Sequence, residues 1–162
     1  MFKPIIDQRY SKEDVVTHDL VTAEAKVVTS SSDIPIYISR IKNVEKVFID
    51  ELQFFDSGII PIIQNILFDG IDVTYAALQA TSEGEAFPFT DKKMHVGDLL
   101  ALPHEEIINL KAVCTKCGEN AVFTFFISGE KKEIVRVGGI ETYTALCRTC
   151  YDKLRKNDEK QN

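Results

Sequence analysis

The sequence predicts an α/β protein, with a lobe built on a parallel sheet followed by a small β lobe tied by a metal. Three observations carry that prediction. An apolar strand–helix–strand pattern runs from Val44 to Leu78, the spacing of a βαβ unit. Its first strand, Val47-Phe48-Ile49, ends on two adjacent acids, Asp50 and Glu51. All four cysteines fall late in the chain, as two Cys-x-x-Cys pairs. The change in character divides the chain into residues 1–106 and 107–162.

Taken in order, Lys3 to Asp19 is polar and mixed and reads as a loop with short extended pieces. Ala25 to Thr29 reads as a short strand. Ser30 to Asp33 offers helix caps before Ile34, Ile36, Ile38 and Ile41, with Pro35 interrupting the helix early. Val44 to Asp50 is the first strong strand. Ser57 is placed to cap a helix through Phe68, whose isoleucines recur at helical spacing and whose Pro61 is tolerated in the first turn. Gly70 ends that helix, and Asp72 to Leu78 is the second strong strand.

Gln79 to Lys93 is the longest stretch without a clear element, and such stretches in compact domains are usually functional or mobile. Val96 to Leu102 predicts a short helix closed by Pro103. Ile107 to Cys114, Ala121 to Ser128 and Glu133 to Val137 predict strands of antiparallel character. Cys150 to Lys156 predicts a final helical turn or two.

The chain has 162 residues, 44% of them apolar and 27% charged, enough to bury a core. Net charge is −6, unevenly spread: residues 109–162 hold ten Lys/Arg against seven Asp/Glu, leaving −9 for the rest. Neither part carries the basic footprint of a nucleic-acid binder, which argues against a zinc-ribbon module for DNA or RNA. No apolar run approaches the roughly 20 residues that span a bilayer. The first ten residues lack a signal peptide's basic and apolar regions. The expectation is a cytoplasmic protein with no membrane partner, where paired cysteines favour metal over disulfides.

Cys114-Thr-Lys-Cys117 and Cys147-Arg-Thr-Cys150 are separated by 29 residues. A two-residue gap lets one knuckle present two thiolates, and two knuckles complete a closed tetrahedral zinc site. A closed set of four leaves no position for substrate, so the zinc is expected to be structural. Asp50-Glu51 has the form of a Walker B element, in which one acid supports Mg²⁺ and its neighbour takes a proton from a nucleophile. An ordinary loop start after a buried strand reads the same way. Val137-Gly138-Gly139 leads through Tyr143 to Cys147; paired glycines admit close backbone approach, and a packed glycine turn is the plain alternative. His18, His95 and His104 lack the spacing of a second metal site.

Together these stretches resemble the type II, zinc-containing thymidine kinases. The matches run in family order: KPIIDQRYSKEDVVTHD, VFIDELQFFD, the AAL strand end with GEAF after it, LKAVCTKCG, and VRVGGIETYTALCRTCY. The resemblance implies a RecA-like P-loop NTPase sheet with a zinc-ribbon and lasso lobe. It also implies transfer of a phosphoryl group from ATP, with Mg²⁺, to the 5′-hydroxyl of thymidine or deoxyuridine. By position, Glu51 would be the general base and Asp50 would support the metal. Asp7 and Arg9 match the segment beside the phosphates. Gln53, Phe54, Leu78 and Phe87 would surround the nucleoside. The stretch from Arg136 through Val137, Gly138 and Gly139 to Tyr143 matches the lasso over the base. The family is usually tetrameric, which implies a homo-oligomer.

Two departures accompany the resemblance. The family's Gly-rich loop, G-x-M-x-S-G-K-[ST], would precede Lys3 with its strand and helix, and no glycine in this sequence is followed by lysine. Without that loop the phosphates lose their backbone cradle, and the sheet is expected to lack a central strand. The leading expectation is a thymidine kinase whose recorded chain begins late. The alternative is a catalytically dead relative that binds a nucleoside or a partner. The second departure lies in residues 77–98, where Ala77-Leu78-Gln79 replaces Gly-Leu-Asp, an aromatic expected near Ser82 is missing, and the loop after Phe87 is longer than the family's.

Overall fold

The computed structural model describes residues 1–6, 14–16, 22–103, 106–127 and 142–158. The described residues form two compact units: Met1–Gln79 with Ala86–Leu102, and Ala80–Glu85 with Pro103–Asn162.

The first unit contains β1 (Phe2–Pro4), β2 (Asp14–Val16), β3 (Thr22–Glu24), β4 (Lys26–Val28), α1 (Asp33–Ile38), β5 (Lys46–Ile49), a 3-10 turn (Leu52–Phe54), α2 (Ile59–Phe68), β6 (Asp72–Tyr75) and α3 (Val96–Leu100). Four strands make one sheet in the order β4-β1-β5-β6, with every neighbouring pair parallel. β2 and β3 pair antiparallel as a separate ribbon. β1 pairs with both β4 and β5, so the described strands form one continuous parallel sheet.

β5 alternates as a half-buried strand should: Val47 and Ile49 point into the core while Phe48 is exposed, with the Lys46 ammonium 6.0 Å from its ring. α2 follows because Ile59, Ile60, Ile63 and Ile66 recur on one face and are buried. Pro61 sits in its first turn, where no intrahelical N–H is required. Leu67 and Phe68 fall on the solvent side, and Phe68 is 91% exposed. β6 registers on β5 from Lys46↔Asp72 to Ile49↔Tyr75, closing the β–α–β unit.

Ser57 does not cap α2. Its hydroxyl donates to Asp91 Oδ2 at 2.6 Å, and Gly58 occupies the cap position. A Cβ at Gly58 would lie 2.6 Å from Asp56 Oδ1 and 3.0 Å from Ser31 Oγ, so these hydrogen-bonded side chains would have to shift to admit one. Asp56 is the junction of this region. It accepts hydrogen bonds from Ser30 Oγ (3.2 Å), Ser31 N–H (3.0 Å), Ser31 Oγ (2.6 Å) and Gly58 N–H (3.1 Å). The start of α1 is thereby fastened to the loop that leaves the acidic strand end. Partial burial raises the Asp56 pKa, but the Ser31 and Ser30 hydrogen bonds outweigh it and hold the carboxyl below its ordinary value.

That depression fixes the sign of a pH effect. The contribution of Asp56 is complete above the unfolded value of about 3.9 and is lost as pH falls through the lower folded value. Asp56→Ala strands the buried Ser31 hydroxyl and should cost about 1–3 kcal/mol at neutral pH. Urea unfolding checks it: the difference from the unaltered protein should shrink on acidification, and a pH-independent difference would count against the assignment.

Residues 79–95 carry no strand or long helix, yet they are built. Phe87 and Phe89 are buried with Val96 and Leu99 of α3. Phe87 N–H bonds Gln79 O, Val96 N–H bonds Phe87 O, and Thr90 N–H bonds Phe55 O. His95 N–H bonds Asp98 Oδ2 at 2.7 Å and starts α3.

The second unit contains β7 (Ala112–Val113), β8 (Asn120–Ala121), β9 (Phe123–Phe126), β10 (Tyr143–Leu146) and α4 (Arg148–Asp158). β7 pairs with β8, and β9 with β10, both antiparallel. The strand expected over Ile107 to Cys114 shrinks to two residues, and α4 is longer than expected at both ends. The strand expected over Glu133 to Val137 lies outside the described residues. Cys114, Ala121, Leu146 and Tyr151 form the buried cluster of this unit. Among the described residues no helix is long and apolar enough to cross a membrane.

Candidate functional site

β5 carries the chain to its carboxyl end, the side of an open α/β sheet where ligands bind. Asp50 N–H bonds Phe2 O there, and Ala76 N–H bonds Ile49 O, so strands on either side fix the acidic corner. Glu51 adopts φ 48° and ψ 44°, the left-handed region. For a residue with a Cβ this costs roughly 1–2 kcal/mol, and such strain collects at functional sites. Leu52 N–H then bonds Ala76 O at 2.9 Å, and the chain tightens into the 3-10 turn.

The turn buries Gln53, which is only 1% exposed, and both ends of its amide are used. Its Nε2 donates to Glu51 Oε2, and its Oε1 accepts the Leu78 N–H at 3.1 Å. One buried side chain therefore sets both the Glu51 carboxylate and the backbone of Leu78. Phe54 is buried beside Phe87, with ring centroids 5.9 Å apart in an edge-on arrangement. Leu78 is 48% exposed and so offers apolar surface at the end of β6. The structure thus brings Glu51, Gln53, Phe54, Leu78 and Phe87 into one connected arrangement, with Asp50 adjacent in sequence.

Asp7, Arg9, Arg136, Val137, Gly138 and Gly139 lie outside the described residues. Tyr143 opens β10, opposite Phe126, with the two rings 5.8 Å apart edge to face.

The cysteines do converge. One sulfur from each of Cys114, Cys117, Cys147 and Cys150 lies within 4.8 Å of the others, and Cys117 Sγ is 3.6 Å from Cys147 Sγ. That separation is far beyond a disulfide bond but close to the ~3.8 Å between thiolates about 2.3 Å from a tetrahedral ion. The first knuckle is closed by Gly118 N–H to Cys114 O (2.9 Å) and Cys114 N–H to Glu119 O (2.8 Å), with Gly118 at φ +79°. The second is formed where β10 enters α4, and Tyr151 N–H bonds Cys147 O.

The Cys114 and Cys150 thiols are shifted in opposite directions by their neighbours. A hydrogen bond from the Cys147 backbone pulls Cys114 down to about 6, while the Cys147 thiol pushes Cys150 up to about 12. Thiolates this close repel one another, and a cation removes the conflict. The donor set fits a metal ion held by four sulfurs.

Sequence reasoning gave Asp56 and Tyr151 no role. A Ser-Ser-Ser run ahead of a helix and an acid after the Phe-Phe pair are visible signals, but their meeting depends on the folded chain.

A family model described as thymidine kinase matches residues 1–151. The chain belongs to the thymidine kinase family. A thymidine kinase of Pseudothermotoga lettingae is 39% identical over 160 residues, covering 98% of this chain and 81% of the relative. One from Bacteroides thetaiotaomicron is 35% identical over 158 residues, covering 98% of this chain and 74% of the relative. One from Bacteroides fragilis is 33% identical over 162 residues, covering 100% and 76%. The acidic corner at Asp50-Glu51 and all four cysteines lie within the matched residues of this thymidine kinase family member.

Proposed function

We propose that this chain transfers the terminal phosphoryl group of ATP to the 5′-hydroxyl of thymidine or deoxyuridine on a RecA-like P-loop NTPase scaffold. The observation that carries the reading is the pairing of Glu51 with Gln53 at the carboxyl end of β5. A general base must be held where the substrate proton will be, and a buried amide anchored at both ends does that for Glu51. Glu51 accepts the 5′-hydroxyl proton as the oxygen attacks the γ-phosphorus and the bond from that phosphorus to the bridging oxygen breaks, releasing ADP. Asp50 supports Mg²⁺, which arrives with ATP and neutralises charge on the phosphoryl oxygens. Asp7 and Arg9 lie along the phosphates.

Gln53, Phe54, Leu78 and Phe87 enclose the nucleoside. Arg136, Val137, Gly138, Gly139 and Tyr143 close over the base. In this reading residues 1–106 form the kinase domain and 107–162 the lasso domain, whose four cysteines hold a structural zinc. The protein works as a homo-oligomer.

Gln53→Ala tests the carrying observation. It removes the Gln53 hydrogen bonds to the Glu51 carboxylate and to the Leu78 backbone together, and misplacement by about 1 Å can cost 10²-fold. Thymidine phosphorylation followed by chromatography should show kcat/KM lower by about that factor. An unaltered kcat/KM would sink the reading.

A further inference from the structure

The spacing of each Cys-x-x-Cys pair brings two sulfurs together, but no spacing brings one pair to the other across the 29 residues between them. Contacts within the second unit have to set the two knuckles against each other, and β10 carries such contacts. One edge of β10 pairs with β9, from Tyr143↔Phe126 to Leu146↔Phe123, and the strand runs directly into Cys147. Ile127 N–H bonds Thr142 O, so alternate residues of β10 bond to β9 and the Ala145 carbonyl points away from it.

That outward edge meets the first knuckle at Thr115. Thr115 N–H donates to Ala145 O at 3.1 Å. Thr115 Oγ1 lies 2.7 Å from Thr144 Oγ1, hydrogen-bond distance for two hydroxyls, and 3.4 Å from Ala145 O. Thr115 is the residue after Cys114, and Thr144 stands three residues before Cys147. The hydroxyl pair therefore joins the two knuckles close to a sulfur on each side. Across the same junction Cys117 Sγ is 3.6 Å from Cys147 Sγ.

We propose that Thr115 and Thr144 are positioning residues for the metal: their paired hydroxyls clasp the first knuckle onto β10 and hold the two thiol pairs at the separation one ion needs. Groups outside the ligand shell orient the ligands, and a bond made only in the assembled unit adds to the apparent affinity for the metal. The proposal rests on the reading of the four cysteines as a zinc site and extends it to two residues that are not ligands.

The zinc-loaded full chain, titrated with a chromophoric chelator of known affinity, tests the clasp. Thr115→Val keeps the branched shape and the N–H to Ala145 and removes only the hydroxyl. The apparent dissociation constant for zinc should rise about three- to tenfold, the effect of one net hydrogen bond. Thr144→Val should give the same rise, and the double variant should lose no more than either alone, because each removes the same bond. Thr115→Ser, which keeps a hydroxyl, should hold zinc as the wild type does. Valine variants that hold zinc as tightly as the wild type overturn the clasp. A double variant whose loss is the product of the single losses also overturns it, since each hydroxyl would then act alone. A wild-type chain that takes up no zinc overturns the metal reading, and the clasp with it, so the two failures are distinguishable.

Discussion

Replacing Glu51 with glutamine is expected to lower thymidine phosphorylation by about 10²- to 10⁴-fold while thymidine still binds. The substitution keeps the size of the side chain and an oxygen that can face the Gln53 amide. What it removes, on the proposed reading, is the basic lone pair that would take the 5′-hydroxyl proton. Loss should therefore fall on kcat, because the group acts as the nucleophile forms and adds little to ground-state binding. Product formation and calorimetric titration with thymidine separate the two. A variant that turns over at the wild-type rate would remove Glu51 from the chemistry and leave its left-handed backbone without a functional account.

Loss of the metal should have the largest effect on stability. Among the described residues the fully buried cluster of the second unit is Cys114, Ala121, Leu146 and Tyr151, with Phe123, Phe125, Ala145, Cys147, Cys150 and Leu154 packed against it, and three of these are candidate metal ligands. A core that small does not offset chain entropy by itself. Structural zinc in small knuckles contributes apparent free energies of about 10–16 kcal/mol at neutral pH. Cys117→Ser leaves three thiols and an exposed gap in the shell. Chelation, or this substitution, should abolish hydrogen-exchange protection across the paired strands β9 and β10, and zinc should restore it only to the unaltered chain. Protection that survives verified removal of the metal would show that packing alone holds the unit.

The β5–α2–β6 unit was legible because its signals are local and periodic. Val47 and Ile49 alternate with exposed neighbours, and the isoleucines of α2 repeat on one face. The cysteine cluster was legible for a similar reason, since spacing alone brings two thiolates together in each knuckle. The acidic corner was legible only as residue types. Its geometry depends on Gln53 reaching Leu78, 25 residues away, which no local pattern encodes. The Asp56 junction has the same separation from Ser31 and was missed.

Errors in extent have a common cause. Ile107, Ile108 and Leu110 look like strand residues, yet they are 49%, 69% and 90% exposed and only Ala112–Val113 pairs. Propensity reports what a side chain would favour on a pleated surface, and pairing requires a partner that the local sequence does not name. Tyr143–Leu146 shows the reverse case, a strand legible only through its partner Phe123–Phe126.

The most direct test of the account is whether thymidine and Mg·ATP, incubated with the protein, yield thymidine 5′-monophosphate. The account predicts that product, formed on the 5′-hydroxyl and dependent on Glu51. Saturable thymidine binding with no phosphorylated product would contradict it and leave a nucleoside-binding member of the family in its place.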